Sequence, residues 1–453
     1  MRGLAVSLTF WNMDTGWVAG ASAAQTTGLG SEHAVWPGRR VVAACFAAFT
    51  VYAAAMVFTG HADGTWAVWA FGGYAIATML MLATRSWVLP LAVALGGALV
   101  APLVWLMTRT AATAEVLVIG RAADHVLKYG TPYLPPGQLT GWKAYNPYLP
   151  LMDVFGLPRA VGIHGVLGDT RIWVTLTTIV LIAAAFSVAS PHQLRDCPHC
   201  RTRIAGATAL AVASPVIAFP LALGVTDPPV IALTCLALAW ADRGKVVRAA
   251  LVLAVACAMK TTAWAVVPVL AIMAWVQYAP RAAARFSATA LAATGVLALL
   301  AAPEAMATST DVTAVKQNLI DFPLGLTKHK TPAASPLPGH LIAGLGSVGH
   351  YAAVVLMVAA VVAFTAWILL RPPRDARDVA WRLAVGYAVM FVLDPSTRFG
   401  YFAYPLALLG WLALTKNSSP ERTVPSAPGP LARLRDSNLT PSLIRNAIFG
   451  RAR

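Results

Sequence analysis

A small number of ionisable residues interrupt otherwise apolar sequence, and they are the groups able to do chemistry. Lys260 stands in Cys257-Ala258-Met259-Lys260-Thr261-Thr262, followed by Trp264. Arg398 stands in Asp394-Pro395-Ser396-Thr397-Arg398-Phe399-Gly400-Tyr401, and Asp227 in Thr226-Asp227-Pro228-Pro229. Glu115 and Asp124 lie in Glu115-Val-Leu-Val-Ile-Gly-Arg-Ala-Ala-Asp124. Carboxylates can exchange protons, and ammonium or guanidinium groups can hold anions. Ionisable groups beside apolar spans are costly and more often functional; the competing readings are snorkelling to an interface and a structural ion pair.

Other chemistries have less support. Cys197-Pro198-His199-Cys200, with His192 nearby, is the one metal-like pattern and would supply half of a tetrahedral zinc site. No second distant pair completes it, so reduced thiols are expected at Cys197 and Cys200. The remaining cysteines, Cys45, Cys235 and Cys257, lie in apolar spans and form no disulfide framework. No Walker A, dinucleotide-binding or His-Glu-x-x-His motif is present, and no cofactor is expected.

The elements that must position these residues are membrane helices. The chain is 58% hydrophobic and only 11% charged. Apolar runs near 20 residues recur, the length a helix needs to cross ~30 Å of hydrocarbon. Alternation over ~10 residues, the barrel pattern, is absent. The expected fold is an all-α polytopic membrane protein of about twelve transmembrane helices. Its spans fall at 41–60, 65–84, 88–107, 172–190, 203–223, 229–241, 247–259, 262–277, 286–303, 350–371, 379–394 and 399–415. A long helix over 247–277 is the alternative, but it would bury Lys260 at mid-membrane.

Charge supports the split. With the N-terminus inside, the inner segments hold 23 of the 34 basic residues and 8 of the 18 acidic ones. The outer segments hold 11 basic and 10 acidic residues. The positive-inside bias therefore accounts for the net charge of +16, and nucleic acid is not an expected partner. Both termini are expected in the cytoplasm of a multi-pass cell-membrane protein. The leader 1–40 is too long for a cleaved signal, so the first span should remain as an anchor. The domain at 41–415 carries two long outer loops, 108–171 and 304–349. The basic tail at 416–453 reads as disordered or membrane-surface bound.

The first outer loop is the richest segment. Val116, Ile119, Ala123, Val126 and Leu127 recur at helical spacing, which predicts an interfacial helix stopped by Gly130-Thr131-Pro132. Glu115 and Asp124 then point to roughly opposite faces, so that one can face a cavity while the other is solvated. Tyr133 follows the turn, and Tyr145-Asn146-Pro147-Tyr148-Leu149-Pro150 leads on to the next span.

This loop resembles the first outer loop of polyprenyl-phosphate-dependent glycosyltransferases of the GT-C superfamily, closest to the mannosyltransferase-like glycosyltransferase family 87. That group opens the loop with an acidic residue, more often aspartate, here matched by Glu115. A Gly-x-Pro-Tyr turn and an aromatic-Pro-Leu segment follow, matched by Gly130 to Tyr133 and by Tyr145 to Pro150. The resemblance extends over roughly 110–415. It implies transfer of a hexose, such as mannose, from a polyprenyl-phosphate sugar to an extracytoplasmic lipid or glycan acceptor by a single inverting displacement. The substrates are then the polyprenyl-linked donor and the glycan or glycolipid acceptor, with membrane lipids around them. Glu115, or alternatively Asp124, would serve as general base. Lys260 and Arg398, with His329 and Lys330 from the second loop, would hold the donor phosphate. Asp227, Tyr133, Tyr145, Asn146 and Tyr148 would bind acceptor or line the cavity.

Three prolines, Pro332, Pro336 and Pro338, predict an extended second loop of the kind that covers a cavity. Two other readings remain: a transporter or flippase of a lipid-linked or small polar substrate, and a non-catalytic partner in envelope assembly. No convincing internal repeat supports the transporter.

Overall fold

A computed structural model describes residues 38–59, 61–109, 112–190, 198–329 and 331–415. The leader, Cys197, Lys330 and the basic tail lie outside the described residues, as does the side chain of Cys200. All regular structure among the described residues is helical. Six helices are long and apolar enough to cross a membrane: α1 (Arg39–Thr59), α2 (Ala62–Ala83), α3 (Val88–Thr108), α5 (Thr170–Ala189), α11 (Pro280–Ala301) and α13 (Ser347–Leu370). Their outer faces carry bare apolar side chains: Val348 is 80% exposed, Val355 65% and Leu370 83%. Water would not tolerate so continuous a patch, whereas lipid tails cover it at no cost.

A seventh candidate is a bent pair. Helix α6 (Pro198–Ala213) and α7 (Pro215–Leu223) meet at 63°. An unbroken span over 203–223 was expected. Pro215 explains the break, because a residue before proline is pushed out of the helical region, and Ser214 is extended at ψ 144°. Helix α8 (Asp227–Asp242) is buried along nearly its whole length. Then follow α9 (Val246–Met259) and α10 (Val266–Gln277), joined by Lys260 and a 3₁₀ turn at Thr261–Ala265. The sequence 247–277 is therefore broken at Lys260, as its charge requires. Helix α12 (Ser309–Lys316) lies in the loop before α13, and after α13 come α14 (Ala376–Leu393) and α15 (Ala403–Leu414).

Close backbone contact sets the position of α3. A Cβ on Gly97 would stand 2.5 Å from the Gly73 Cα of α2, so only glycine fits there. At this contact α3 widens into a π turn, Gly96–Val100. The side chain of Trp66 crosses to the same place and donates to the Ala98 carbonyl at 2.7 Å.

The loop between α3 and α5 holds a helix where one was expected, α4 (Ala114–Tyr129). Gly130 caps it in the left-handed region at φ 69°, and its carbonyl accepts from the Glu304 N–H at 3.0 Å. The buried face shares Ile119 and Ala123 with the predicted stripe but is rotated from it by about 60°. It is Val118, Ile119, Ala122 and Ala123, while Leu127 is exposed. Both Ile119 and Ala123 pack on Gly156, a contact the periodicity of α4 alone does not reveal.

The two long loops, between α3 and α5 and between α11 and α13, are stitched together. Tyr145 stacks on Phe322 with centroids 4.4 Å apart and planes 4° from parallel. The Asn146 N–H donates to Asn318 Oδ1 at 2.6 Å, and Asn318 is fully buried. From the second loop, Ser335 N–H donates to the Thr397 carbonyl at 3.0 Å, and Ser335 Oγ accepts from the Phe399 N–H at 3.0 Å. The turn that carries Arg398 is thereby braced from both sides. Gly339 lies directly against the Leu393 backbone, where no side chain would fit.

Candidate active site

The N-terminus of α4 rests on the turn between α7 and α8. Thr113 donates from its N–H to the Leu223 carbonyl and from Oγ1 to the Gly224 carbonyl, each at 3.4 Å. Gly224 adopts φ 85°, and a Cβ there would come within 2.4 Å of Val116. This docking aims Glu115, in the first turn of α4, at the start of α8. Glu115 Oε2 accepts from the Thr226 N–H at 3.0 Å and from Thr226 Oγ1 at 2.9 Å.

Asp227 follows Thr226 at the head of α8, where Pro228 and Pro229 fit the first turn and the helix dipole favours an acid. It is 3% exposed and takes Lys260 Nζ at 2.5 Å. Lys260 reaches it because the chain leaves α9 in an extended conformation at φ −150°, ψ 138°. Two tyrosines hold the turn after Lys260. Tyr387 donates to the Thr262 carbonyl at 2.8 Å, and Thr262 Oγ1 donates to the Tyr404 hydroxyl at 2.8 Å. Tyr404 also hydrogen-bonds to Asp227.

Tyr148 joins the carboxylates to the cation. Its ring lies under Lys260 Nζ, 5.5 Å from the centroid, and its hydroxyl hydrogen-bonds to Glu115. Burial, together with the Glu115 and Asp227 charges, holds its phenol well above the ordinary tyrosine range. The phenol thus stays protonated as a donor. Its backbone is pinned on each side: Tyr148 N–H donates to Asn146 Oδ1 at 3.1 Å, and Tyr133 donates to the Tyr148 carbonyl at 3.0 Å. The next N–H, of Leu149, donates to the Met259 carbonyl at 3.0 Å, which ties the loop to the residue before Lys260.

Not every nominated residue enters the cluster. Tyr401 lies within electrostatic reach of Lys260, Asp227 and Arg398, which puts Arg398 at the edge of the group. Asp124 is exposed, nine residues and about 13 Å further along α4 than Glu115. Tyr133, Tyr145 and Asn146 support Tyr148 and clasp the second loop. The backbone carbonyl of His329 accepts from Thr327 Oγ1 at 3.0 Å, and no contact of its ring with the cluster occurs among the described residues. No group of three or more His, Cys, Asp or Glu able to hold a metal occurs among the described residues.

Sequence reasoning missed Thr226, Tyr387, Tyr401 and Tyr404. Thr226 was legible as the neighbour of Asp227; the tyrosines look like ordinary core aromatics. It also missed Asp153, buried behind the loop in a 3₁₀ segment, Pro150–Phe155. Neither of its oxygens has a hydrogen-bond partner among the described residues. The Asn146 amide lies near it outside hydrogen-bonding geometry, and Arg121 acts on it through charge alone. Burial pushes this carboxyl well above the usual range.

Apolar spans enclosing a carboxylate, an ion pair and a tyrosine define a membrane protein with a polar site at the ends of its helices. The model of glycosyltransferase family 87 matches residues 148–395, more than half of the chain, and the chain belongs to that family. It is accordingly a glycosyltransferase. The match opens at Tyr148 and includes Asp227 and Lys260, whereas Glu115 precedes it and Arg398 follows it. No curated protein and no solved structure matches the chain.

Proposed function

We propose that the chain transfers a hexose from a polyprenyl-phosphate sugar to a lipid or glycan acceptor on the extracytoplasmic side of the membrane. The observation that carries this reading is the convergence of Glu115, Asp227 and Lys260 around one tyrosine, although they belong to three separate segments. In the proposed reaction an acceptor hydroxyl attacks the anomeric carbon while Glu115 takes its proton. The bond to the polyprenyl phosphate breaks as the new bond forms, with inversion. Lys260 and Arg398 receive the departing phosphate, whose negative charge grows in the transition state. Asp227 restrains the Lys260 ammonium and orients the acceptor.

The associated topology is the twelve-pass one, with both termini inside and the loops at 108–171 and 304–349 outside. It is supported by the excess of arginine and lysine on the inner segments. Mannose is the donor sugar that the family resemblance favours.

The test uses the purified protein in proteoliposomes with a radiolabelled polyprenyl-phosphate hexose and an acceptor lipid extract. Label is expected in a glycolipid or glycan product, and Glu115→Gln should abolish its formation. Passage of label into sealed vesicles without transfer would instead support a transporter, for which the bent pair α6–α7 would be the relevant feature.

A further inference from the structure

At the ends of the spans away from the carboxylate cluster, an apolar groove of about 250 Å³ opens between α3 and α6. Val88 begins α3, and Glu115 follows that helix's opposite end. Arg201 lies in the first turn of α6, and Thr226 follows the far end of α7. A span of 21 residues is about 30 Å long, so the groove lies roughly a membrane thickness from Glu115. Trp87, Leu91 and Leu95 form one wall, and Ala205, Gly206 and Ala209 the other. From Val88 to Leu95 it runs about 10 Å, the depth of the upper part of one lipid chain.

The mouth has a definite charge. Arg203 lines it directly. Arg39 donates to the carbonyls of Met81 at 2.5 Å and Arg85 at 2.8 Å, and its guanidinium lies 5.5 Å from the Trp87 ring centroid. Arg85 and Arg201, each two positions before a lining residue (Trp87 and Arg203), are exposed. The segments 84–88 and 201–206 that frame the opening hold three arginines and no carboxylate. The groove is thus apolar at the depth of acyl chains and cationic at the depth of phosphates.

We infer that this groove is a binding site for an anionic phospholipid, with one acyl chain between α3 and α6 and the phosphate at Arg203, Arg201 and Arg85. The lipid fills the space between the two helices and holds the start of the bent pair against α3. This site is separate from the one where a sugar donor would bind.

The experiment reconstitutes the full chain in nanodiscs containing equal parts of phosphatidylglycerol and phosphatidylcholine, then releases it for native mass spectrometry. Phosphatidylglycerol should be retained over phosphatidylcholine, with a preference of about fivefold for each engaged arginine. Arg203→Glu and Gly206→Trp should each remove the retained lipid, whereas Arg374→Glu, elsewhere on the chain, should not. A phosphatidylglycerol analogue with a diazirine in the acyl chain should label peptides spanning 87–95 and 202–209, a readout that needs no variant. Equal retention of both lipids, or labelling confined to other segments, overturns the inference. So does new retention of lipid on deleting residues 1–37, which would make the leader the natural occupant.

Discussion

The Nζ of Lys260 lies 2.5 Å from Asp227 Oδ1, between side chains that are 12% and 4% exposed. Each group is costly to leave alone in so dry a place. Removing one partner of a buried pair typically costs about 3–5 kcal/mol. Lys260→Met alone, or Asp227→Asn alone, should therefore lower the apparent unfolding temperature in detergent. The double variant should recover most of the loss, because neither charge is stranded. Sugar transfer should stay abolished in all three. Recovery of transfer in the double variant would reduce the pair to a structural bridge.

Glu115→Gln keeps a carbonyl oxygen to accept both bonds from Thr226. The fold should survive, with thermal unfolding unchanged. Loss of a general base lowers turnover by about 10²–10⁴-fold. Asp124→Asn, at an exposed position, should leave turnover near the parent value. The reverse pattern, read in the transfer assay, would move the base to Asp124.

Asp153 gives a pH dependence with a definite sign. Its folded carboxyl is raised by burial, so the folded chain holds the proton more tightly than the unfolded one. That stability is fully present below the unfolded value of about 3.9 and is lost as pH rises toward the folded one. Asp153→Asn keeps the group neutral at every pH. Its advantage in unfolding temperature over the parent should grow as pH is raised from about 4 and then level off. A gap that narrows with rising pH would contradict the buried neutral acid.

Asp169 should behave in the opposite sense. Burial raises its carboxyl, but hydrogen bonds from the Arg171 side chain and backbone, with the arginine's charge, outweigh that and hold it below the usual range. Its side chain caps α5 and pairs with Arg171 at 2.7 Å. The stability it adds is present above about pH 4 and is lost as pH falls through the lowered value. Asp169→Asn should unfold at lower temperature than the parent at neutral pH, with the difference closing in acid. Equal unfolding temperatures at pH 7 would show that the pair adds nothing.

Much of this arrangement could be read before any coordinates. Apolar run length located the helices, and the cost of a buried ammonium located the break at Lys260. Glycine and proline located the end of α4. The Ser214 bend was also written in the sequence, in Pro215, but an apolar run of 21 residues masks a local rule about the residue before proline. The contacts within the site were less accessible. That Glu115 meets Thr226 follows from the seating of α4 on Gly224, a long-range fit between a glycine and Val116. Nor does Asp153 announce itself: in sequence it is one loop acid among several, and only packing shows that it is dry.

The tyrosine clamp on Thr262 has a consequence for biosynthesis. Thr226 is made 111 residues after Glu115, and Tyr404 is made 142 residues after Thr262. At ~10 residues per second, the Lys260 turn waits on the order of ten seconds for its last brace. During that interval a carboxylate and an ammonium stand at the membrane boundary with their final neighbours missing. The ion pair can shield both charges while the rest of the chain emerges. A ribosome stalled before residue 387 would leave a protein with every charged member of the pair present and the turn that aims it unsupported.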